Sequence, residues 1–183
     1  RVLFRSLSVT DYPYEFTVTD SNNLSSTVKG FVKVDVLVIR EGNRIKMQVP
    51  SIIFRSDAAD FKTSEELAAM PNWDGRTTGL DRRTLENNVK VLSRISEILK
   101  KFRDYNVTIE GNANNISGTA EEEEEVRLLS EQRAKFVREW LIKDGVPASN
   151  LSAHGNGSTN PATRSAALED KWKNRRVEFI LKK

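Results

Sequence analysis

The chain has 183 residues, of which 38% are hydrophobic and 30% charged, and this is enough for one domain with a buried core and part of a second. It contains no cysteine, which excludes disulfide bonds and thiolate metal sites. The net charge of +3 gives little support for nucleic-acid binding, because positive and negative residues are interspersed. No apolar run approaches the roughly 20 residues of a membrane-spanning helix.

Within residues 1–42, apolar and polar side chains alternate from Tyr14 onward, which is typical of β-strands. The apolar members are Tyr14, Phe16, Val18, Val32, Val34, Val36 and Val38. About 40 residues of strand are too few for an independent core. The segment resembles the closing strands of an immunoglobulin-like domain, so we predict the end of a truncated β-sandwich. Residues 1–6 are either a strand start or a translated sequencing adapter, and the chain is expected to be a C-terminal fragment.

A second unit, residues 43–183, is predicted to follow the order β-α-β-α-β. Helices between strands indicate an α+β fold in which the helices pack on a mixed sheet. An insertion without clear periodicity is expected at about 63–84. The predicted strands are 44–49, 51–54, 106–110, 151–154 and 177–181, the predicted helices are 85–102 and 126–143, and 161–174 is expected to be partly helical.

Arg133 lies on the apolar side of the second predicted helix, between Leu129 and Val137 on a helical wheel. A guanidinium there needs acceptors, because an unpaired buried charge is strongly destabilising. One alternative is an internal carboxylate, such as Glu110 or one in the run 121–125. The other is the carboxylate of a ligand, held by the guanidinium fork. The residues alone leave both alternatives open.

The glutamate run and the asparagines before it have simple structural interpretations. Thr119 and Glu122 have the spacing of a capping box, which predicts a solvated helix start. Consecutive carboxylates on a helix point in different directions, so we expect no calcium site there. We also expect no cofactor. Asn112 and Asn114 follow Gly111 and are typical of turns.

Four short motifs stand out along the chain: SIIF at 51–54, IEG at 109–111, LSEQRA at 129–134 and NRRVE at 174–178. In this order they resemble the motifs of the OmpA-like C-terminal domain family, the peptidoglycan-associating module of bacterial envelope proteins. The resemblance begins near residue 50 and implies non-covalent binding of the diaminopimelate of uncrosslinked peptidoglycan stems. It places the chain in the periplasm at the outer membrane, with any membrane association made through upstream regions.

The same resemblance suggests which residues contact the ligand. Arg133 occupies the position that grips a ligand carboxylate, and Arg175 occupies a supporting position. Gly111, Asn112 and Asn114 stand in the loop that faces the ligand in the family.

The chain departs from the family pattern near this loop. The family usually has G-H-T-D where this chain has G-N-A-N, so the aspartate that pairs with the ligand is replaced by Asn114. Arg55 stands where the family often has aspartate, and Val126 where it often has asparagine. We expect diaminopimelate affinity to be reduced, lost or redirected to another diamino acid. The alternative is a structural or interaction module whose ligand site has been lost.

Other functional classes have little support. His154 is the only histidine, and no G-x-S-x-G, H-E-x-x-H or P-loop spacing occurs, so we predict that the chain is not an enzyme. The basic run at 171–176 contains a tryptophan and would suit nucleic acid. It overlaps the NRRVE motif, however, and we predict no nucleic-acid partner.

Overall fold

A computed structural model describes residues 11–33, 37–41, 44–49, 52–165, 170 and 173–183. The predictions for residues 1–6 and for part of 161–174 lie outside the described residues. The described strands form two separate sheets, of two and five strands.

The smaller sheet is an antiparallel hairpin of β1 (Asp11–Thr19) and β2 (Ser25–Lys33), with Phe16 opposite Val28. Its turn is closed by Asp20, whose Oδ1 accepts from the amides of Asn22 at 2.8 Å and Leu24 at 2.9 Å. This pair confirms the predicted N-terminal antiparallel segment. Its assignment to an immunoglobulin-like sandwich stays a prediction.

The five strands of the larger sheet are β3 (Leu37–Glu41), β4 (Arg44–Gln48), β5 (Asn106–Gly111), β6 (Leu151–Gly155) and β7 (Val177–Lys182). Their order in the sheet is β3-β4-β7-β5-β6. Only β5 and β6 are parallel, and the other neighbours are antiparallel, which confirms the predicted mixed sheet. β3 pairs with β4 across the proposed boundary at residue 42, so this sheet includes residues that precede 43. The division into 1–42 and 43–183 stays a prediction.

The helices start earlier than the apolar periodicity predicts, because polar side chains cap their first turns. α2 (Arg82–Leu99) begins after Asp81, which accepts from the Thr84 amide at 2.8 Å. α3 (Ala120–Lys143) begins after Thr119, which accepts from the Glu122 amide at 3.2 Å. The core forms where both helices meet the sheet, and its fully buried side chains include Leu92, Ile95, Ile109, Val137, Leu141, Phe179 and Leu181.

The predicted strand at 51–54 is wrong for the described part of that segment. Residues 52–55 have no regular secondary structure and pair with a helix side chain instead of a strand. The Ile53 amide donates to Asn88 Oδ1 at 3.0 Å, and Asn88 Nδ2 donates to the Ile53 carbonyl at 2.7 Å. The buried amide of Asn88 therefore satisfies the backbone that a sheet neighbour would otherwise satisfy.

The segment predicted as an insertion contains one short helix, α1 (Ser64–Ala68), which has a complete capping box between Thr63 and Glu66. An isolated bridge joins Thr63 to Leu80 and closes the segment. None of the helices in the described ranges combines the length and the apolar character needed to cross a membrane.

A cationic cavity between helix α3 and the ends of strands β5 and β7

Arg133 is fixed by backbone carbonyls of the loop that precedes α1. Its Nε donates to the Ala58 carbonyl at 2.9 Å, and its Nη2 donates to the Arg55 carbonyl at 3.1 Å. The guanidinium carbon also lies 5.1 Å from the centre of the Phe54 ring, within the range of a cation–π contact. These contacts hold the guanidinium in place without neutralising its charge.

The internal carboxylate that the sequence left open as a partner for Arg133 is not found among the described residues. Glu110 instead accepts from Asn156 Nδ2 at 3.2 Å, and Glu123 accepts from the Ser158 amide at 2.9 Å. Burial lowers the pKa of Arg133, the Asp57 carboxylate opposes this effect, and the Arg175 cation adds to it. The guanidinium is half-buried and remains charged, because even a lowered arginine pKa stays far above neutral pH.

A cavity of about 420 Å³ opens beside this guanidinium. Its described wall consists of residues 52–56, 111–112, 133 and 175–177. Four of the five predicted ligand residues therefore meet at one cavity, namely Gly111, Asn112, Arg133 and Arg175. Asn114 is half-buried and is not among the described wall residues, so its contact with a ligand stays a prediction.

Arg55, which replaces the aspartate often present in the family, has its own counterion. Its Nε and Nη2 donate to the two carboxylate oxygens of Asp60 at 2.6 Å and 2.8 Å. Hydrogen bonds from Arg55 hold the pKa of Asp60 below its usual range. This bidentate ion pair leaves little net charge at Arg55. The sequence did not predict Asp60 as its partner, because two residues five positions apart in a loop show no periodic pattern.

The NRRVE motif builds the opposite wall of the cavity. Asn174 is buried and exchanges two hydrogen bonds with the Thr163 backbone, at 2.9 Å and 3.0 Å. Arg176 donates to Glu178 Oε1 at 2.8 Å, and the same oxygen lies 2.7 Å from Lys46 Nζ. Arg175 is exposed at the cavity and has no ion pair with a described residue. Asn174, Arg176 and Glu178 of the motif are therefore held by other parts of the domain, and Arg175 remains available to a ligand.

The loop after β5 packs tightly against α3. A Cβ atom on Gly111 would overlap the Ser130 carbonyl, so this position requires glycine. Asn112 is buried, and its Oδ1 accepts from Asn156 Nδ2 at 3.1 Å. Asn112 therefore shapes the wall, and its side-chain oxygen is already engaged.

Two of the five consecutive glutamates hold this loop. Glu122 accepts from the Ile116 amide at 3.0 Å and from the Ser117 amide at 2.5 Å. Glu123 accepts from Asn115 Nδ2 at 3.2 Å and from the Ser158 hydroxyl at 2.5 Å, and the Ser158 bonds lower the pKa of Glu123. Within the described residues, no cluster of three acidic or histidine side chains could hold a metal ion.

The fold agrees with comparisons to known proteins. The model of the OmpA family matches residues 81–175, more than half of the chain, and the chain therefore belongs to the OmpA family. This confirms the resemblance that the four sequence motifs indicate.

Two individual relatives show how much of the chain is similar in sequence. The peptidoglycan-binding protein ArfA of Mycobacterium tuberculosis is 38% identical over 93 residues, which cover 50% of this chain and 27% of ArfA. The lipoprotein YiaD of Escherichia coli is 28% identical over 148 residues, which cover 80% of this chain and 55% of YiaD. The chain thus spans about a quarter to a half of the length of these relatives.

Solved structures show the same fold at low identity. A MotB-like protein from Desulfovibrio vulgaris has a TM-score of 0.58 at 21% identity, covering 80% of this chain and 78% of that one. The cell wall anchor of the T6SS from Pseudomonas aeruginosa has a TM-score of 0.55 at 22% identity, covering 81% and 87%. These similarities support the predicted OmpA-like arrangement of helices on a mixed sheet.

Proposed function

We propose that the chain binds peptidoglycan non-covalently and thereby holds a larger envelope protein to the cell wall. The proposed ligand is a stem peptide with diaminopimelate or another diamino acid, and the proposed place is the periplasm near the outer membrane. The proposed contacts are Arg133, Arg175, Gly111, Asn112 and Asn114.

One observation carries this proposal. Arg133 is held by two carbonyls and an aromatic ring at the wall of an open cavity, and no described carboxylate lies within ion-pair distance of it. A preorganised guanidinium with an unneutralised charge is suited to bind a carboxylate, because little side-chain freedom is lost on binding. The similarity to relatives named for peptidoglycan binding and cell wall anchoring supports peptidoglycan as the source of that carboxylate.

A pull-down with purified sacculi tests the proposal. We expect the wild-type chain to be retained and Arg133→Ala to lose about tenfold in affinity, because a charge-assisted hydrogen bond is removed. Arg138→Ala is the matched control. Arg138 lies on the same helix and also donates to two backbone carbonyls, those of Leu151 at 2.8 Å and Ala148 at 3.4 Å, and it is not among the wall residues.

Each outcome of this experiment has a defined meaning. Retention of the wild type and Arg138→Ala, with loss of Arg133→Ala, supports the proposal. Equal retention of all three proteins, or no retention of the wild type, contradicts it. The second result favours the alternative module with a lost site, for which the replacement of the family aspartate by Asn114 is the main observation.

The proposed activity is binding without turnover. Sacculi incubated with the chain are expected to release no soluble fragments above the level of a buffer control. Release that depends on the chain would contradict a purely binding role.

A further inference from the structure

The loop after β5 is tied directly to the loop after β6, beyond the point where the two strands end. The Asn156 amide donates to the Gly111 carbonyl at 2.8 Å, and the Ala113 amide donates to the Gly157 carbonyl at 2.8 Å. Asn156 Nδ2 also donates to Asn112 Oδ1 at 3.1 Å. Because Gly111 and Asn112 line the cavity, the shape of this wall depends on the loop after β6.

One carboxylate, that of Glu123 in the first turn of α3, contacts both loops. It accepts from the amide of Ser158 at 2.9 Å and from the hydroxyl of the same residue at 2.5 Å, in the loop after β6. It also accepts from Asn115 Nδ2 at 3.2 Å, in the loop after β5. A carboxylate can accept several hydrogen bonds at once, so this single side chain joins the two loops to the helix.

Asn114 lies between two residues that this arrangement holds. Ala113, before it, donates to the Gly157 carbonyl, and Asn115, after it, donates to Glu123. Asn114 stands where the family usually has the aspartate that pairs with the ligand. Its placement relative to the cavity therefore depends on both of these anchors.

Neighbouring glutamates of the run make other contacts. Glu122 accepts from two amides of the loop after β5. Glu124 pairs with Arg127 of the same helix at 2.7 Å. Glu121 is exposed and lies in the same turn as Glu123, which makes it a control of equal charge.

The rest of the site has separate support. The Gly157 amide donates to Ser130 Oγ at 3.0 Å, so the loop after β6 would keep one anchor on α3 without the Glu123 carboxylate. Arg133 is held by carbonyls of the loop before α1, on another side of the cavity. Loss of the Glu123 carboxylate is thus expected to loosen one wall while the fold and Arg133 stay in place.

From this arrangement we infer that Glu123 is a positioning residue for ligand binding, which holds the loop after β5 in the conformation that the ligand requires. The inference rests on the proposed function and adds a residue that acts through other residues. A ligand that meets a preformed loop causes less loss of conformational freedom on binding. When the loop is loosened, only the molecules with the correct loop conformation can bind, and the apparent affinity falls accordingly.

The binding kinetics of a soluble muropeptide with a diaminopimelate tripeptide stem test the inference, by surface plasmon resonance on the immobilised chain. We expect Glu123→Gln to lower the affinity about tenfold, mostly through a slower association, because fewer molecules are ready to bind. Arg133→Ala removes a proposed ligand contact and is expected to accelerate dissociation instead. Glu121→Gln removes the same charge from the same turn and is expected to bind as the wild type does.

Ser158→Ala tests the same bridge from the loop after β6 and removes only one hydroxyl group. We expect it to slow association in the wild-type background and to have a much smaller effect in Glu123→Gln, because the bridge is already broken there. Thermal unfolding by circular dichroism checks that each variant is folded. Fully additive effects of the two substitutions would contradict the bridge.

The outcomes separate the inference from the proposed function. Unchanged kinetics in the folded Glu123→Gln protein, or an equal loss in Glu121→Gln, overturns the inference and leaves peptidoglycan binding intact. Faster dissociation with an unchanged association rate also overturns it, because Glu123 would then act on the bound complex and not on the free loop. Absence of wild-type binding to the muropeptide and to sacculi overturns the proposed function.

Discussion

Glu178 is the acidic residue on which the charge balance of the cavity wall depends. Glu178 is only 8% exposed, and its carboxylate forms ion pairs with both Arg176 and Lys46. Burial acts to raise the pKa of Glu178, but the hydrogen bonds from Arg176 and Lys46 outweigh it, and the pKa is lowered. The ion pairs therefore stabilise the folded state above the usual glutamate range, and this contribution is lost as pH falls through the depressed pKa.

We expect Glu178→Gln to lower the free energy of unfolding by about 3 kcal/mol, because it leaves the half-buried cations of Arg176 and Lys46 without their shared counterion. Urea denaturation at neutral pH measures the change. Glu97→Gln is the control, since its pair with Arg94 is exposed and is expected to contribute less than about 0.5 kcal/mol. Equal losses in the two variants would contradict the role of burial.

Asp60 balances the positive charge of Arg55, as Glu178 balances that of Arg176. Because the pKa of Asp60 is lowered by Arg55, the pair contributes stability above the usual aspartate range, and this contribution is lost as pH falls through the depressed pKa. Asp60→Asn is expected to add one uncompensated positive charge to the cavity. The pKa of Arg133 is then expected to fall further, and NMR of the arginine side chains would detect a change at Arg133 that Asp144→Asn does not cause.

At the scale of elements, the cavity exists because two strand ends approach the backbone of α3. Gly111 ends β5 beside Ser130, and Gly155 ends β6, where a Cβ atom would lie 2.5 Å from the Glu131 nitrogen. Both glycines let parallel strands reach one stretch of helix. The loops after β5 and β6 therefore meet α3 at the same level as Arg133.

We expect Gly111→Ala to lower the free energy of unfolding by about 3 kcal/mol, because the strand and the helix must separate to admit a methyl group. Gly75→Ala is the control. Gly75 has a φ of +72° and no atom near its Cβ position, so its substitution is expected to cost only about 1 kcal/mol of backbone strain. Thermal or urea unfolding compares them, and a smaller loss for Gly111→Ala would contradict the close approach.

Glu123, in the first turn of α3, holds the loop after β6 by hydrogen bonds to Ser158. Because hydrogen bonds from Ser158 lower the pKa of Glu123, the bridge to Ser158 is expected to persist above the usual glutamate range and to open as pH falls through the depressed pKa. Amide hydrogen exchange at Ser158 should accelerate at acidic pH in the wild type and at neutral pH in Glu123→Gln. Glu121→Gln alters an exposed residue of the same turn and should leave this exchange unchanged.

At the scale of the whole molecule, the hairpin of β1 and β2 differs from the five-stranded domain. One of its faces carries polar pairs, such as Glu15 with Lys29 at 3.1 Å and Thr17 with Thr27 at 2.9 Å. The other face carries Phe16 and Val28, which are 63% and 57% exposed. A two-stranded hairpin is marginally stable by itself in water, so this exposed apolar face fits the predicted immunoglobulin-like sandwich.

We expect a fragment of residues 37–183 to unfold with the same free energy as the full chain, within about 0.5 kcal/mol, because the hairpin forms its own sheet and adds little buried apolar area. The fragment should also bind less of a dye specific for exposed apolar surface. Urea denaturation and dye fluorescence of the two proteins measure these quantities. A loss of several kcal/mol in the fragment would contradict the independence of the five-stranded domain from the hairpin.

The sequence predicted the regular elements well where a local pattern encodes them. The predictions located α2, α3, β5, β6 and β7. Both helices start earlier than predicted, because caps extend a helix beyond its apolar stripe, and α2 ends three residues before the predicted end at 102. The three strands each end one residue later than predicted. The predicted strand at 51–54 failed because an apolar run is equally suited to a core loop. Asn88, in a helix 35 residues away, pairs with the Ile53 backbone there.

The sequence by itself determined the family and the presence of an arginine on the apolar side of α3, since both depend on order and spacing along the chain. The tertiary structure decided what surrounds that arginine. Its hydrogen-bond acceptors lie 75 and 78 residues earlier, at Ala58 and Arg55. The counterions of the neighbouring arginines are likewise set by packing, so the net charge of the cavity follows from contacts that no local pattern encodes.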